Sequence, residues 1–210
     1  MSSPLVRYPG REICLDTRLF GPAAHYALLA AYPAARVRYD ARWDKRAKPL
    51  HRYDIADTRG RLALTVPVSL PARGTVDGPI MRRHVRLSGH GEWWRVQRIA
   101  LESAYGRTPY FEFVADRFLS LLADPGDDAP ALTDLLHRAD AAVCGFLGIE
   151  TRITDADPAE ACAAVPDITL PYTQVRQTSL GFIPSLSILD TIFNLGPETP
   201  LYLHRLARAM

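Results

Sequence analysis

Lysine is nearly missing from this chain. Only Lys45 and Lys48 carry an ammonium among 25 basic residues, so arginine supplies almost all of the positive charge behind a net +2. That bias, with abundant alanine, is the mark of a GC-rich genome. No fold-specific nucleic-acid motif accompanies it, and nucleic acid is not expected as a partner. Cysteine is scarce too. Cys14, Cys144 and Cys162 show no C-x-x-C spacing, and an odd number suits reduced thiols in a cytoplasmic setting. No run approaches the roughly 18 apolar residues of a membrane span. The opening MSSPLVRYPGREICLD lacks the apolar stretch of a secretory signal. Phosphate loops of the G-x-x-x-x-G-K-[ST] and G-x-G-x-x-G kinds are absent, as is a G-x-S-x-G elbow. The histidines at 25, 51, 84, 90, 137 and 204 have no ligand spacing. Neither a metal site nor a bound cofactor is expected.

What is present is an ordinary globular balance, 48% hydrophobic and 23% charged over 210 residues, enough for one sizeable core. Strand signals cluster early. REICLD (11–16) and ARVRYD (35–40) read as strands around a helix over 21–33, which Pro33 ends. HRYDIA (51–56) and RLALTVPV (61–68) flank DTRG, whose Asp57 and Gly60 suit a hairpin turn. IMRRHVRLS (80–88) reads as a further strand.

Helical patterns take over from residue 91. Two helices divide at Gly106, with Thr108 as the cap of the second. An amphipathic helix over 132–149 has Thr133 as N-cap and Gly148 as its stop. ETRITDA gives a short strand, DPAEACAAVPD a helical turn or two, and PYTQVRQ a strand or loop. SILDTIFN and TPLYLHRLARA are short helices, the second capped by Thr199. The expectation is an α+β (mixed α/β) single domain over 1–210, strand-rich with a hairpin in its N-terminal half and helix-rich in its C-terminal half.

Three constellations carry chemistry. In KPLHRYD (48–54), His51 and Tyr53 share one strand face while Arg52 and Asp54 share the other. His51 there is either a general base or a bystander beside an Arg52–Asp54 surface pair. In the helix opening at Trp93, Gln97, Ala100 and Ala104 continue the stripe of that Trp, with Arg95, Arg98 and Glu102 beside it. The Trp is then a stacking plate with polar anchors or a core residue under a salt-bridged face. In GFIPSLSILDTIFNLGPETP (181–200), Ser187, Asp190, Thr191 and Asn194 oppose Ile188, Ile192 and Leu195. Ser187 or Ser185 caps this helix, or Ser187 and Asp190 line a site.

Four stretches, HRYDI…GRLALTVPV, WWRVQRIALESAYGRTPYFEF, CGFLGIETRIT and YTQV…LGFIPSLSILDTIFNLGP, together resemble the WbqC-like protein family, in the form common in Bacteroidetes-type bacteria. Relatives often open on Gln-Pro-x-Tyr-x-Pro where this chain has RLFGPAAHY (18–26), and often place His where Gln97 aligns. The resemblance implies bacterial surface-polysaccharide (O-antigen-type) work: a transferase acting on a sugar or sugar-nucleotide precursor, with acyl or aminoacyl transfer to an amino sugar. The alternative is a non-catalytic binding or assembly protein of envelope biogenesis. On the transferase reading Glu102, Asp190 or His51 supplies the base, and Arg52, Trp93, Arg95, Gln97, Ser103, Tyr105, Gln174, Ser187 and Asn194 contact the substrate. The geometric question is whether Asp190 reaches Arg52, Arg95 or Glu102.

Overall fold

The computed structural model describes Tyr8 and residues 10–210. β1 (Glu12–Asp16), α1 (Ala23–Ala31) and β2 (Ala34–Arg38) form a βαβ unit. β1 pairs β2 in parallel, from Glu12 opposite Ala34 to Asp16 opposite Arg38. The period of two decides which side is core: Ile13, Leu15, Ala35 and Val37 turn inward, while Arg36 turns out to Glu12 and Glu160. α1 carries no Asp, Glu, Lys or Arg and is buried along almost its whole length, which fits a crossover helix covered on its far side by α7 (Thr199–Ala209). β7 (Arg152–Asp155) adds to the outer edge of β2, also in parallel, giving the order β1–β2–β7.

The expected hairpin is β3 (Arg52–Asp57) and β4 (Gly60–Thr65), closed between Asp57 and Gly60. The segment 80–88 differs from its reading as a strand. It forms a 3-10 turn at Arg82–His84, and only Arg86–Leu87 (β6) pairs with Val68–Ser69 (β5). The cause is a buried charge. The Arg82 guanidinium makes two bonds to Asp16, at 2.6 and 3.0 Å, and donates to Arg38 O; a straight strand would not carry the side chain inward.

α2 (Trp93–Tyr105), α3 (Phe111–Leu119) and α4 (Leu132–Leu147) follow. Thr108 is no cap: its hydroxyl donates back to Tyr105 O. Asp134, not Thr133, caps α4 by accepting from Ala131 N–H. Residues 157–167 are not helical, because their backbone pairs with β1 instead: Ala163 N–H donates to Cys14 O. After the single turn α5 (Gln177–Leu180) comes α6 (Ile188–Leu195). It lies against α1, α2, α3, α7 and β3, and Ile188 through Phe193 are all buried. Thr199 starts α7 from inside its first turn, its hydroxyl bonded to Gly196 O. Strands in the N-terminal half and helices in the C-terminal half make the chain a mixed α/β protein. One continuous apolar cluster draws on residues from Ile13 to Ala207.

A carboxylate sits inside this core. Asp140 of α4 is 1% exposed and accepts the hydroxyls of Tyr26 and Tyr39 at 3.0 and 2.9 Å. Burial pushes its pKa up to about 6, against the pull of those hydroxyls. An acid with a raised folded-state pKa binds its proton more tightly folded than unfolded, so its contribution to stability falls as pH rises. The contribution is full below the unfolded value of about 4 and is lost as pH passes through about 6. The span corresponds to roughly 3 kcal/mol. Urea unfolding across this window is expected to show that decline, and Asp140→Asn is expected to flatten it; an equally steep profile in the variant would contradict the assignment.

Candidate functional site

In a parallel sheet the ends of the strands' carboxyl sides are where loops leave the sheet and ligands gather. Here β1 ends at Asp16, and the chain must turn within 17–22 to enter α1. The turn is made by Phe20, which is fully buried at a positive φ of 44° and meets the Tyr53 ring edge-on at 5.2 Å. Backbone bonds then stitch this loop to distant segments. Leu19 N–H donates to Pro49 O, Ile188 N–H to Gly21 O, and Ser187 N–H to Asp54 O. The result is a cleft of about 460 Å³ between the 18–22 loop, the start of β3, the 165–167 coil and the entry to α6.

Three cations line it: Arg18, Lys48 and Arg52. None of them has a carboxylate within ion-pair distance among the described residues. Arg52 is anchored through Nε to Thr65 Oγ1 at 2.9 Å, which leaves its terminal nitrogens for a ligand. Of the two carboxylates in the lining, Asp54 is held by Arg61 at 2.9 Å. The same guanidinium grips the carbonyls of Pro184 and Ser185. The other, Asp167, accepts from Ser185 Oγ at 2.5 Å. Ser185 stands at φ 51°, an unusual conformation for a residue with a side chain. Its N–H donates to Thr169 Oγ1 at 3.0 Å and its Oγ lies 3.1 Å from that oxygen. The Thr hydroxyl therefore gives its proton to Ser185, and Ser185 gives its own to Asp167.

The residues singled out in the sequence fall into three groups. Arg52 and Ser187 line the cleft. Ser187 is also the α6 cap, its Oγ accepting from Leu189 N–H at 3.1 Å. Tyr105, Gln174, Asp190 and Asn194 meet in a second, interior cluster. Asp190 is completely buried and accepts from Tyr105 at 2.8 Å, Tyr172 at 2.5 Å and Gln174 Nε2 at 3.1 Å. Asn194 bonds to Asp190 O and receives Val175 N–H. Burial raises the Asp190 pKa, and the hydroxyls of Tyr172 and Tyr105, then Gln174 and Asn194, oppose that rise. No hydrogen bond or ion pair joins Asp190 to Arg52, Arg95 or Glu102.

The remaining residues lie apart from both. Arg95 is exposed and pairs with Glu92 at 3.4 Å. Glu102 and Ser103 are exposed on α2, and Ser103 O receives Arg176. Trp93 is 4% exposed, donates to Ser88 O and packs edge-on against Trp94. Gln97 is buried between the Tyr53 hydroxyl and Thr65 O, so it steadies a cleft wall from behind. His51 holds Val66 O through Nδ1 at 3.0 Å, and burial lowers its pKa. That leaves a neutral ring outside the cleft lining.

Arg18, Lys48, Asp167 and Ser185 escaped the sequence reading. Arg18 lies within the stretch where the chain departs from the family's usual opening. Ser185 was read only as an alternative cap, and nothing local marks Asp167. Among the described residues no group of three or more His, Cys, Asp or Glu is placed to hold a metal ion, and no helix is long and apolar enough to cross a membrane.

Comparison with known proteins agrees with the motifs. Residues 35–167 match the WbqC-like protein family. The chain is also similar to "Uncharacterized protein Rv1507c" of Mycobacterium tuberculosis, 24% identical over 234 aligned positions that cover 92% of this chain and 97% of the relative. No solved structure gives a significant match. The family match spans well over half of the chain, which belongs to the WbqC-like family.

Proposed function

We propose that this member of the WbqC-like family is a transferase of bacterial surface-polysaccharide biosynthesis. Its substrate is an amino-sugar precursor whose phosphate or diphosphate sits in the cleft. One observation carries the reading: Arg18 from the loop after β1 and Lys48 and Arg52 from the stretch leading into β3 converge on one cleft, without carboxylate partners among the described residues. A guanidinium fork fits phosphate and carboxylate oxygens through paired hydrogen bonds, and the cleft has the volume of a small-molecule site. Transfer to an amine or hydroxyl also needs a group to take its proton. Asp167 is the lining carboxylate free of an arginine, and Ser185 connects it to the cleft.

The test is calorimetric titration and thermal shift with uridine- and thymidine-diphosphate amino sugars, followed by product detection with acyl donors. Binding by at least one compound is expected. Because a hydrogen bond between charged groups contributes about 1.5–3 kcal/mol, Arg52→Ala should weaken it roughly 10- to 100-fold. Lack of binding across the panel, or unchanged affinity in both Arg18→Ala and Arg52→Ala, would sink the proposal. A second reading, a non-catalytic binding or assembly protein of envelope biogenesis, draws support from Asp190, whose oxygens are engaged by internal donors. Tight binding without product from any acyl donor would favour it.

A further inference from the structure

Cys14 and Cys162 are 148 positions apart, yet their sulfurs lie 3.1 Å from each other. The backbone puts them there. Cys14 is the middle residue of β1, and the coil beyond β7 runs alongside it, with Leu15 bridged in parallel to Ala163 and Ala163 N–H bonded to Cys14 O. Each cysteine precedes a bridged residue by one position, so the two side chains emerge side by side. Both are free and partly exposed, whereas Cys144 is buried. The Arg38 guanidinium is anchored next to them, on Glu160 O and on Asp16, and Cys162 Sγ contacts Glu160 O at 3.8 Å.

We propose that Cys14 and Cys162 are a reversible dithiol–disulfide site that reacts with low-molecular-weight disulfides such as oxidised glutathione. The Cys162 thiolate attacks one glutathione sulfur, the S–S bond breaks, and one glutathione leaves as thiol. Cys14 then loses its proton to solvent and attacks Cys162 Sγ, expelling the second glutathione. Two protein thiols are oxidised and one disulfide is reduced to two thiols. Burial and the adjacent thiol raise the Cys14 pKa, which suits the resolving role rather than the first attack.

The linkage joins the roots of two cleft walls. Cys14 leads through Asp16 into the loop containing Arg18, and Cys162 leads into the coil ending at Asp167. Cross-linking positions so distant in sequence restrains the unfolded chain strongly, so oxidation is expected to raise the urea midpoint as well as fasten the 165–167 wall. The site stands whether or not the cleft binds a sugar nucleotide.

The experiment is incubation of the full chain with oxidised glutathione, then thiol titration under denaturing conditions, intact mass and peptide mapping. The expected product has lost two hydrogens, contains a Cys14–Cys162 cross-linked peptide, leaves Cys144 as its remaining thiol and reverts with dithiothreitol. Cys14→Ser should stop at a stable glutathione adduct on Cys162 without the rise in urea midpoint. All three thiols still free after oxidation, a link through Cys144, or dimers between chains would overturn the proposal. The wild-type measurement alone decides it if the variant does not fold.

Discussion

Asp190→Ala is expected to lower unfolding stability by about 3 kcal/mol or more, the cost of leaving several buried donors without their acceptor. Asp190 lies on a helix with no exposed side, and its two oxygens take the hydroxyls of Tyr105 and Tyr172 and the amide of Gln174. Removing the carboxylate leaves three donors, two of them in fully buried bonds, without this acceptor, and each buried unsatisfied group costs about 1–3 kcal/mol. The donors also tie separate parts of the chain together. Tyr105 ends α2 and accepts Ala56 N–H from β3, while Gln174 holds Ile183 at both its N–H and its carbonyl. The loss should therefore appear as one cooperative change in urea unfolding, with the coil around Tyr172 more open to protease. Asp190→Asn keeps one acceptor but turns an amide donor toward other donors, so it should fall between wild type and alanine. A loss under about 1 kcal/mol for the alanine variant would show that the cluster is not what fixes α6.

Gly196→Ala should be destabilising by about 3 kcal/mol or more, from two additive causes. Gly196 ends α6 at φ 49°, ψ −121°, a region closed to residues with a side chain. A Cβ there would also stand 2.4–2.6 Å from three Tyr110 ring atoms, far inside van der Waals contact. The peptide cannot swing away easily, because its N–H is bonded to Ile192 O and its carbonyl receives the Thr199 hydroxyl that starts α7. A double-mutant cycle separates the causes. Adding Tyr110→Ala should relieve the steric part and leave the backbone part, giving a double variant more stable than the sum of the singles. Wild-type-like stability of Gly196→Ala would refute the account.

The two sites differ in how far the sequence reaches them. Gly196 is readable as a helix stop, since glycine directly after an apolar-periodic run is a local signal. Its contact with Tyr110 is not, because nothing near either residue reports the packing of α3 against α6. Asp190 shows the same divide. Its spacing from Ser187 and Asn194 places all three opposite the isoleucines, and Ser187 is the cap that such a position suggests. Period alone cannot say whether a polar helix face meets water, a ligand or more protein. Here it meets protein, since Tyr105 and Tyr172 arrive from either side. Arg95 and Glu102 illustrate the converse: one helical face brings them near each other in sequence, and the packing of α2 turns them outward.

By itself the sequence determined the strand-then-helix order, the hairpin of the 51–56 and 61–68 stretches and the resemblance to the WbqC-like family, and it narrowed the cap of α6 to Ser185 or Ser187, because each is written in local periodicity, turn chemistry or contiguous motif. It misread 80–88 and 157–167, where the buried Arg82 guanidinium bound to Asp16 and the pairing of Ala163 with β1 override local preference. Only the tertiary structure gathered Arg18, Lys48 and Arg52 around one cleft and set Cys14 against Cys162. Those meetings depend on backbone bonds between separate segments, Leu19 to Pro49 for the cations and Ala163 to Cys14 for the thiols. A local pattern carries no record of its distant partner, so residues that are unremarkable in their own neighbourhoods became the walls of a site.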